Sequence, residues 1–311
     1  MEQNNDPKNQ HTIPKCYLKQ FVDPAIPSNF GPCVWIFERE SKKGKRQNIR
    51  SVLTETDIYT FQGDYEIEKS LAQLENEYAL IFDKKIKNKL PLEPYEHAVF
   101  CAFVAAMLQR TLKQKEHIEN QMDQFIDWAK QLEMTHGAEP KSLIAWEAAK
   151  EDAHKISVVE MVPEIAKILS KMNIAFMCTK NKHVAFVTSD APAYLFNSQL
   201  QFQRWFSPGF GQKHVEVRMP LSPEVSVCFS WINNLRGYLV ATEDMVHNDN
   251  RMTYGHSHQY FIANSPKVKW RWFQRLPLDP VFLWRFLKHK ISEWITRYRQ
   301  HKYYVRSKKT K

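Results

Sequence analysis

Apolar residues recur every three or four positions through the first half of the chain, which is the spacing of amphipathic helices. Residues 66–89 follow this pattern, and so do 141–154 and 158–172. A long helix is predicted over 95–132, because Pro94 suits a first helical turn and the residues that follow are apolar nearly all round. This helix should therefore lie in the middle of the protein.

The remainder of the chain favours strands, in which apolar and polar residues alternate. Two hairpins and one pair of consecutive strands are predicted, at 33–39 with 47–53, at 214–219 with 225–231, and at 174–179 with 184–189. Shorter elements are a helix within 11–24, an edge strand over 267–271, a helix that Thr242 caps and a last helix that begins at Pro280. Because the strands do not alternate regularly with helices, the predicted fold class is α+β, with a central helical bundle packed on a mostly antiparallel sheet built from N-terminal and C-terminal strands.

The pattern divides the chain into three regions. Residues 1–10 form a flexible N-terminus, 11–280 a single α+β domain with its helical middle at about 66–172, and 281–311 a basic C-terminal helix and tail. The start is polar and the longest apolar run has nine residues, so neither a signal peptide nor a membrane span is expected. Five separated cysteines without a CxxC pair are typical of reduced thiols in the cytoplasm.

The net charge of +10 is concentrated at the C-terminal end. Residues 281–311 contain ten lysines and arginines against Glu293, which leaves about +1 for all preceding residues. Basic side chains interleaved with tryptophans suit phosphates and unstacked bases, so a nucleic-acid partner is predicted. The predicted contact residues are Lys267, Lys269, Arg271, Lys288, Lys290, Arg297 and Arg299. Contact with an anionic membrane, or a solvated tail behind a helix docked by its tryptophans, are the alternatives.

A group of polar residues, distant in sequence, forms the first candidate site. The predicted strand 184–189 ends in a serine and a carboxylate, and Pro192 prevents further pairing. We expect these residues to meet in one cleft. Asp190 would act as a general base or metal ligand, His11 as an acid or base, and Arg110 would bind a phosphate or carboxylate. The candidate catalytic residues of this cleft are His11, Gln109, Arg110, Ser189 and Asp190. The alternative is a buried structural network in which Arg110 pairs with Asp190 and His11 caps a turn.

Two further groups are weaker candidates. His256 and His258 have a spacing that places two imidazoles on one face of a strand, where Asp249 and His11 could complete a metal site. Solvated histidines have the same pattern. Glu68 and Glu75 lie seven residues apart on one helix face, as paired acids or as ordinary exposed carboxylates. No cofactor is assigned from the sequence, and a divalent metal is compatible with these groups. Glycine loops that bind nucleotides and GxSxG nucleophile motifs are absent.

Several motifs occur together in an order that is itself informative. In chain order they are His11-x-Ile13-Pro14-x-x-Tyr17-Leu18-x-x-Phe21, Glu68 with Glu75, Gln109-Arg110, Thr188-Ser189-Asp190-x-Pro192, Pro220-Leu221-Ser222-Pro223 and a late helix with asparagine. Over about 11–264 the chain thereby resembles the bacterial domain-of-unknown-function family numbered four-two-three-eight. The family pattern has asparagine where this chain has Ala191, so that position is not essential here. The family has no agreed activity, and its general character implies a role in defence against phage or mobile elements.

Two function hypotheses follow from the sequence. The first is a cytoplasmic hydrolase or nuclease that acts on nucleic acid or a phosphorylated ligand. The second is a non-enzymatic module that binds nucleic acid or protein, with a structural polar network.

Overall fold

The fold class predicted from the sequence, α+β, is confirmed: helices and mostly antiparallel sheets make up the described residues. A computed structural model of the chain describes residues 9–27, 29–40, 43–60, 64–136, 141–180, 184–197, 208–269 and 272, without the side chains of 132–136 and 141–144. The predicted basic helix and tail over 281–311 lies outside these residues.

Six α-helices lie within the described part of the chain. They are α1 (Lys15–Leu18), α2 (Glu66–Ile81), α3 (Pro94–Gln109), α4 (Leu112–His136), α5 (Lys141–Leu169) and α6 (Glu243–His256). A 3₁₀ turn over Lys19–Phe21 extends α1, and a π-helical turn over Phe82–Ile86 extends α2. Thr242 caps α6 as predicted, since its hydroxyl accepts a hydrogen bond from the Met245 N–H at 3.3 Å.

Helix α3 is the centre of the core, as its all-round apolar sequence predicts. Pro94 begins it, and Glu93 and Glu96 form a reciprocal capping box that satisfies its first N–H groups. The Phe103 ring stacks on Tyr78 of α2 at a centroid distance of 3.6 Å. On another side the Phe100 ring lies 5.7 Å from Phe176 in the largest sheet. The main core therefore lies between the helices and this sheet.

Two helix boundaries differ from the sequence prediction. The helix predicted over 95–132 is broken at Arg110 and Thr111, between α3 and α4. Conversely, the two helices predicted over 141–154 and 158–172 form the continuous α5, which contains Pro163. The spacing of apolar residues does not reveal either difference. The amphipathic pattern continues through α4, so it gives no sign of the break, which the tertiary contacts of Arg110 stabilise.

Eleven strands form three sheets in the described residues. They are β1 (Asn9–His11), β2 (Cys33–Glu38), β3 (Gly44–Asn48), β4 (Thr54–Thr56), β5 (Asn173–Thr179), β6 (Thr188–Ser189), β7 (Tyr194–Asn197), β8 (Val215–Ser222), β9 (Val225–Ser230), β10 (Gly237–Ala241) and β11 (Tyr260–Ala263). The strand orders are β1-β4, β3-β2-β11-β6 and β10-β5-β9-β8-β7. The predicted β2-β3 and β8-β9 hairpins are present, although β3 begins at Gly44 and not at residue 47, because Gly44 pairs with Phe37. Among the described strands only the β10-β5 pair is parallel.

The strand predicted over 174–179 is confirmed as β5, but the strand predicted over 184–189 and its place next to β5 are wrong. Strand β5 pairs with β9 and β10, whereas only Thr188 and Ser189 form a strand, which pairs with β11. In place of a ladder, the buried Asn250 side chain accepts a hydrogen bond from the Val187 N–H at 3.0 Å and donates one to the Ala185 carbonyl at 2.8 Å. A side chain distant in sequence thus satisfies backbone groups that local patterning would assign to a strand.

Smaller differences occur near both ends of the described residues. Strand β1 begins at Asn9, inside the segment predicted to be flexible, and Gln10 is fully buried. Residues 267–269 are not a strand, although an edge strand is predicted there. No helix in the described part of the chain has the length and apolarity needed to cross a membrane.

Candidate functional site

A buried arginine at the α3–α4 break organises the main candidate site. Arg110 is 2% exposed, and its guanidinium donates to the Glu75 carboxylate at 2.6 Å and to the His11 carbonyl at 2.5 Å. The Tyr59 ring lies 5.4 Å from the guanidinium carbon, and the Tyr59 hydroxyl donates to the Arg110 carbonyl at 2.6 Å. Arg110 therefore joins β1, α2 and the loop before α2 at one point.

Part-exposed polar side chains surround this arginine. Glu68 lies two turns before Glu75 on α2. The Glu75 side chain is 23% exposed, and Glu68 as a whole is partly buried. Burial raises the pKa of Glu68; the charge of Arg110 opposes this shift and the charge of Glu75 adds to it. One Glu68 oxygen, Oε2, is buried and has no hydrogen-bond partner among the described residues, and the same is true of Arg110 Nε.

Three residues close to the N-terminus, His11, Lys15 and Cys16, also lie within electrostatic range of this site. Burial and the neighbouring Lys15 ammonium lower the pKa of His11 to about 4, and its Nε2 lies 3.3 Å from the Ile49 carbonyl oxygen. Burial and the charge of Glu75 raise the pKa of Cys16 to about 12. At neutral pH the imidazole is therefore uncharged and the thiol protonated, so Cys16 is not an activated nucleophile.

Gln109 precedes Arg110 but faces a different set of residues. Its Oε1 accepts from the Ser157 hydroxyl at 3.2 Å and from the Gln114 amide at 3.5 Å. Its carbonyl oxygen is 2.9 Å from His154 Nε2. The side chain thus links α3, α4 and α5 and is not among the groups that contact Arg110.

His154 should make the stability of the protein depend on pH. It is 3% exposed, and burial lowers its pKa to about 4. Because the unfolded histidine binds a proton near pH 6.5 and the folded one does not, this stabilisation is complete above pH 6.5 and is lost as the pH falls towards 4. We expect a loss of about 3 kcal/mol from this group.

Urea unfolding at about pH 7.5 and about pH 4.5 measures this loss. His154→Gln keeps an N–H donor but does not titrate, so the stability difference between the two pH values should shrink. The exposed His117→Gln serves as the control and should leave that difference unchanged. An equal pH dependence in wild type and His154→Gln would contradict the assignment.

Ser189 and Asp190 do not contribute to the site around Arg110. Ser189 lies in β6 and Asp190 directly follows it, next to the start of β11. The Asp190 carboxylate accepts the backbone N–H groups of His258 at 2.8 Å, Gln259 at 2.6 Å and Tyr260 at 2.8 Å. Burial raises the pKa of Asp190, and these three donors offset part of the shift. Ser189 is fully buried in β6, where its hydroxyl accepts the Ala191 N–H at 3.2 Å.

Of the five residues predicted to meet in one cleft, the structure therefore brings only His11 and Arg110 into contact. The partner of Arg110 is Glu75, and not Asp190 as the structural alternative expected. The Asp190 contacts hold a backbone turn.

The histidine group does not form a metal site in the described residues. His256 stacks on the Tyr194 ring at 4.7 Å, and burial lowers its pKa to about 4. His258 Nε2 lies 3.7 Å from Glu116. Asp249 is buried and accepts from Tyr194 at 2.9 Å, Arg218 at 3.0 Å and Ser226 at 2.8 Å. Across the described chain, no three or more histidine, cysteine or carboxylate side chains are grouped to hold a metal.

Only two of the predicted nucleic-acid contacts can be placed. Lys267 is exposed, and the Lys269 ammonium lies 3.2 Å from His247 Nε2. On the other side of that imidazole, the Trp272 N–H donates to Nδ1 at 3.0 Å. The other five residues, Arg271, Lys288, Lys290, Arg297 and Arg299, lie outside the described residues.

Sequence reasoning selected Glu68 and Glu75 as a pair but missed their neighbours. Lys15 and Cys16 follow His11 by four and five residues, and their place on the short helix after Pro14 was the available signal. Tyr59 carries no motif, and its contact with Arg110 depends on the tertiary fold.

Comparison with known proteins agrees with the resemblance seen in the motifs. No match was found among curated proteins or among solved structures. A family model described as "Protein of unknown function (DUF4238)" matches residues 9–267, which is most of the chain and contains every residue of the site around Arg110. The chain belongs to the DUF4238 family.

Proposed function

We propose that this protein is a hydrolase that acts on a phosphate ester, in nucleic acid or in a smaller phosphorylated ligand. Glu68 is the proton donor and Glu75 the base. The observation that supports this proposal is the buried, unpartnered Oε2 of Glu68, a residue that is itself only partly buried. Buried polar atoms in folded proteins nearly always have a partner, so such an oxygen suits a group supplied by a ligand.

The two carboxyl groups lie in different environments. Burial raises the pKa of Glu68, whereas the Glu75 carboxylate forms an ion pair with Arg110. Paired acids with such different environments divide general acid and general base catalysis in many hydrolases. Here a water molecule would give its proton to Glu75 while its oxygen bonds to phosphorus, and Glu68 would protonate the leaving oxygen as the ester P–O bond breaks.

Positive charge at the site suits a phosphate. The buried Arg110 and the exposed Lys15 both lie within electrostatic range of Glu68, and Arg110 also pairs with Glu75. These cations offset the repulsion between Glu75 and an anionic substrate, and a neutral His11 adds no charge. The proposed site therefore binds a phosphate group next to its acid and base.

Glu68→Gln should lower kcat for hydrolysis about a hundredfold, because an amide cannot donate the required proton. Turnover is measured with bis(p-nitrophenyl) phosphate, p-nitrophenyl phosphate and labelled DNA and RNA. Since Glu68 Oε2 has no partner in the described residues, the thermal midpoint should change little.

Glu77→Gln is the matched control, because Glu77 lies on the same helix and bonds to the Tyr95 hydroxyl at 2.6 Å outside the site. It should keep full activity. Wild-type turnover that survives Glu68→Gln unchanged would rule out Glu68 as the acid.

A non-enzymatic binding module is the second candidate. The buried polar residues Asp190, Asp249 and Asn250 favour it. Their side chains form hydrogen bonds with other groups of the protein, so these groups are not available for catalysis. Absence of turnover with every substrate above, together with nucleic-acid binding that weakens steeply with salt, would support this module over the hydrolase. The defence role implied by the family resemblance stays a prediction.

A further inference from the structure

A cleft of about 300 Å³ lies between the start of α2 and the middle of α5. Three of its lining residues, Ile67, Ile156 and Val159, are apolar and are called the floor below. Ile156 is 41% exposed and Val159 is 54% exposed, so the floor is open to solvent. A concave apolar surface of this kind gains free energy when another apolar group covers it.

The charged lining residues of the cleft carry excess negative charge. Three of them, Asp64, Glu66 and Glu160, are acidic and are called the rim below. Of the described cations, none lies within ion-pair distance of Asp64 or Glu160, and Glu66 pairs with the exposed Lys69 at 2.9 Å.

One cation, Lys155, also lines the cleft. The Lys155 ammonium is 2.8 Å from the carboxylate of Asp152, which does not line the cleft. This ion pair compensates the positive charge of Lys155. The carboxylates therefore determine which sign of charge the cleft attracts.

We infer that this cleft is a docking site for a cationic amphipathic segment of a partner protein. Such a segment presents a leucine, isoleucine or phenylalanine to the floor and a neighbouring lysine or arginine to the rim. The aliphatic stem of a lysine or arginine can cover Ile156 and Val159 while its charged head reaches Glu160. An acidic segment is repelled by the same rim, so charge selects the occupant.

This surface is distinct from the proposed hydrolytic site. Ile67 and Glu68 are consecutive on α2, so their side chains leave the helix about 100° apart. Ile67 lines the cleft, whereas Glu68 lies within electrostatic range of Arg110. Binding at the cleft can therefore be tested independently of turnover.

The test is fluorescence anisotropy with a labelled helical peptide of about 18 residues, built from leucine and lysine in an amphipathic order. A matched peptide has glutamate in place of lysine. We expect saturable binding of the lysine peptide only, weakened at least tenfold, by order of magnitude, when Val159→Glu places a charge on the floor. Met161→Glu is the control, since Met161 is 44% exposed on the same helix and does not line the cleft.

Charge reversal tests the rim. Glu160→Lys should weaken binding about three- to tenfold at low salt, and the effect should shrink at about 500 mM salt. Glu151→Lys makes the same change at an exposed position of α5 outside the cleft, and should have a smaller effect.

Three outcomes would overturn the inference. One is equal binding of the lysine and glutamate peptides. Another is equal loss of binding in Val159→Glu and Met161→Glu. The third concerns sedimentation of the wild type as a dimer. If Val159→Glu dissociates that dimer and the lysine peptide does not, a second copy of the chain is the occupant of the cleft.

Discussion

Arg110→Met should lower the free energy of unfolding by about 3–5 kcal/mol, because it removes one partner of a buried ion pair. The guanidinium is the shared partner of the Glu75 carboxylate and the His11 carbonyl. Methionine fills a similar volume but leaves both acceptors without a donor. The loss should appear as a lower urea midpoint with an unchanged slope.

A double-mutant cycle separates the ion pair from the other contacts of this arginine. Glu75→Gln alone should destabilise less than Arg110→Met, and the two changes together should cost less than their sum. Arg50→Met replaces an exposed arginine and is the control. Additive effects of the two substitutions would show that Arg110 and Glu75 do not act as a pair.

Asp190→Ala should lower the free energy of unfolding by about 3–5 kcal/mol, since it leaves three backbone donors without an acceptor. These N–H groups belong to His258, Gln259 and Tyr260, at the point where the chain enters β11. Asp190→Asn should cost less, because one amide oxygen can still accept the pair of N–H groups that now share Oδ2.

Thermal and urea unfolding measure this effect, with the exposed Asp127→Ala as the control. Asp190 was also predicted from the sequence to be a general base or metal ligand. Normal stability with abolished turnover in Asp190→Ala would favour that catalytic role over the structural one. Loss of stability in proportion to the missing hydrogen bonds supports the role seen in the structure.

The candidate site was predictable in part. The helical spacing of Glu68 and Glu75 placed both on one face of α2, and both carboxyl groups do face the charge of Arg110. Sequence reasoning instead grouped Arg110 with Asp190, because a strand that ends in a carboxylate is common at active sites. The sequence pattern could not show that the His258–Tyr260 backbone, about seventy residues away, uses that carboxylate.

The sequence by itself determined those helices and strands in which the local pattern of apolar residues agrees with the burial in the fold. The all-round apolar run after Pro94 fixes α3 as the core helix, and the apolar–polar alternation that begins β8 predicts its hairpin with β9. In both cases the same residues supply the propensity, the start or turn signal and the buried face, so no distant contact is needed.

The tertiary structure decided the features that depend on polar groups distant in sequence. Arg110 ends α3 with its guanidinium on Glu75, and Asn250 takes the hydrogen bonds of Ala185 and Val187 that a ladder would otherwise make. A buried polar group must find a partner, but many residues of the right type are available along the chain. Only the packed fold selects one of them, and this selection places Glu68, Glu75 and Arg110 together.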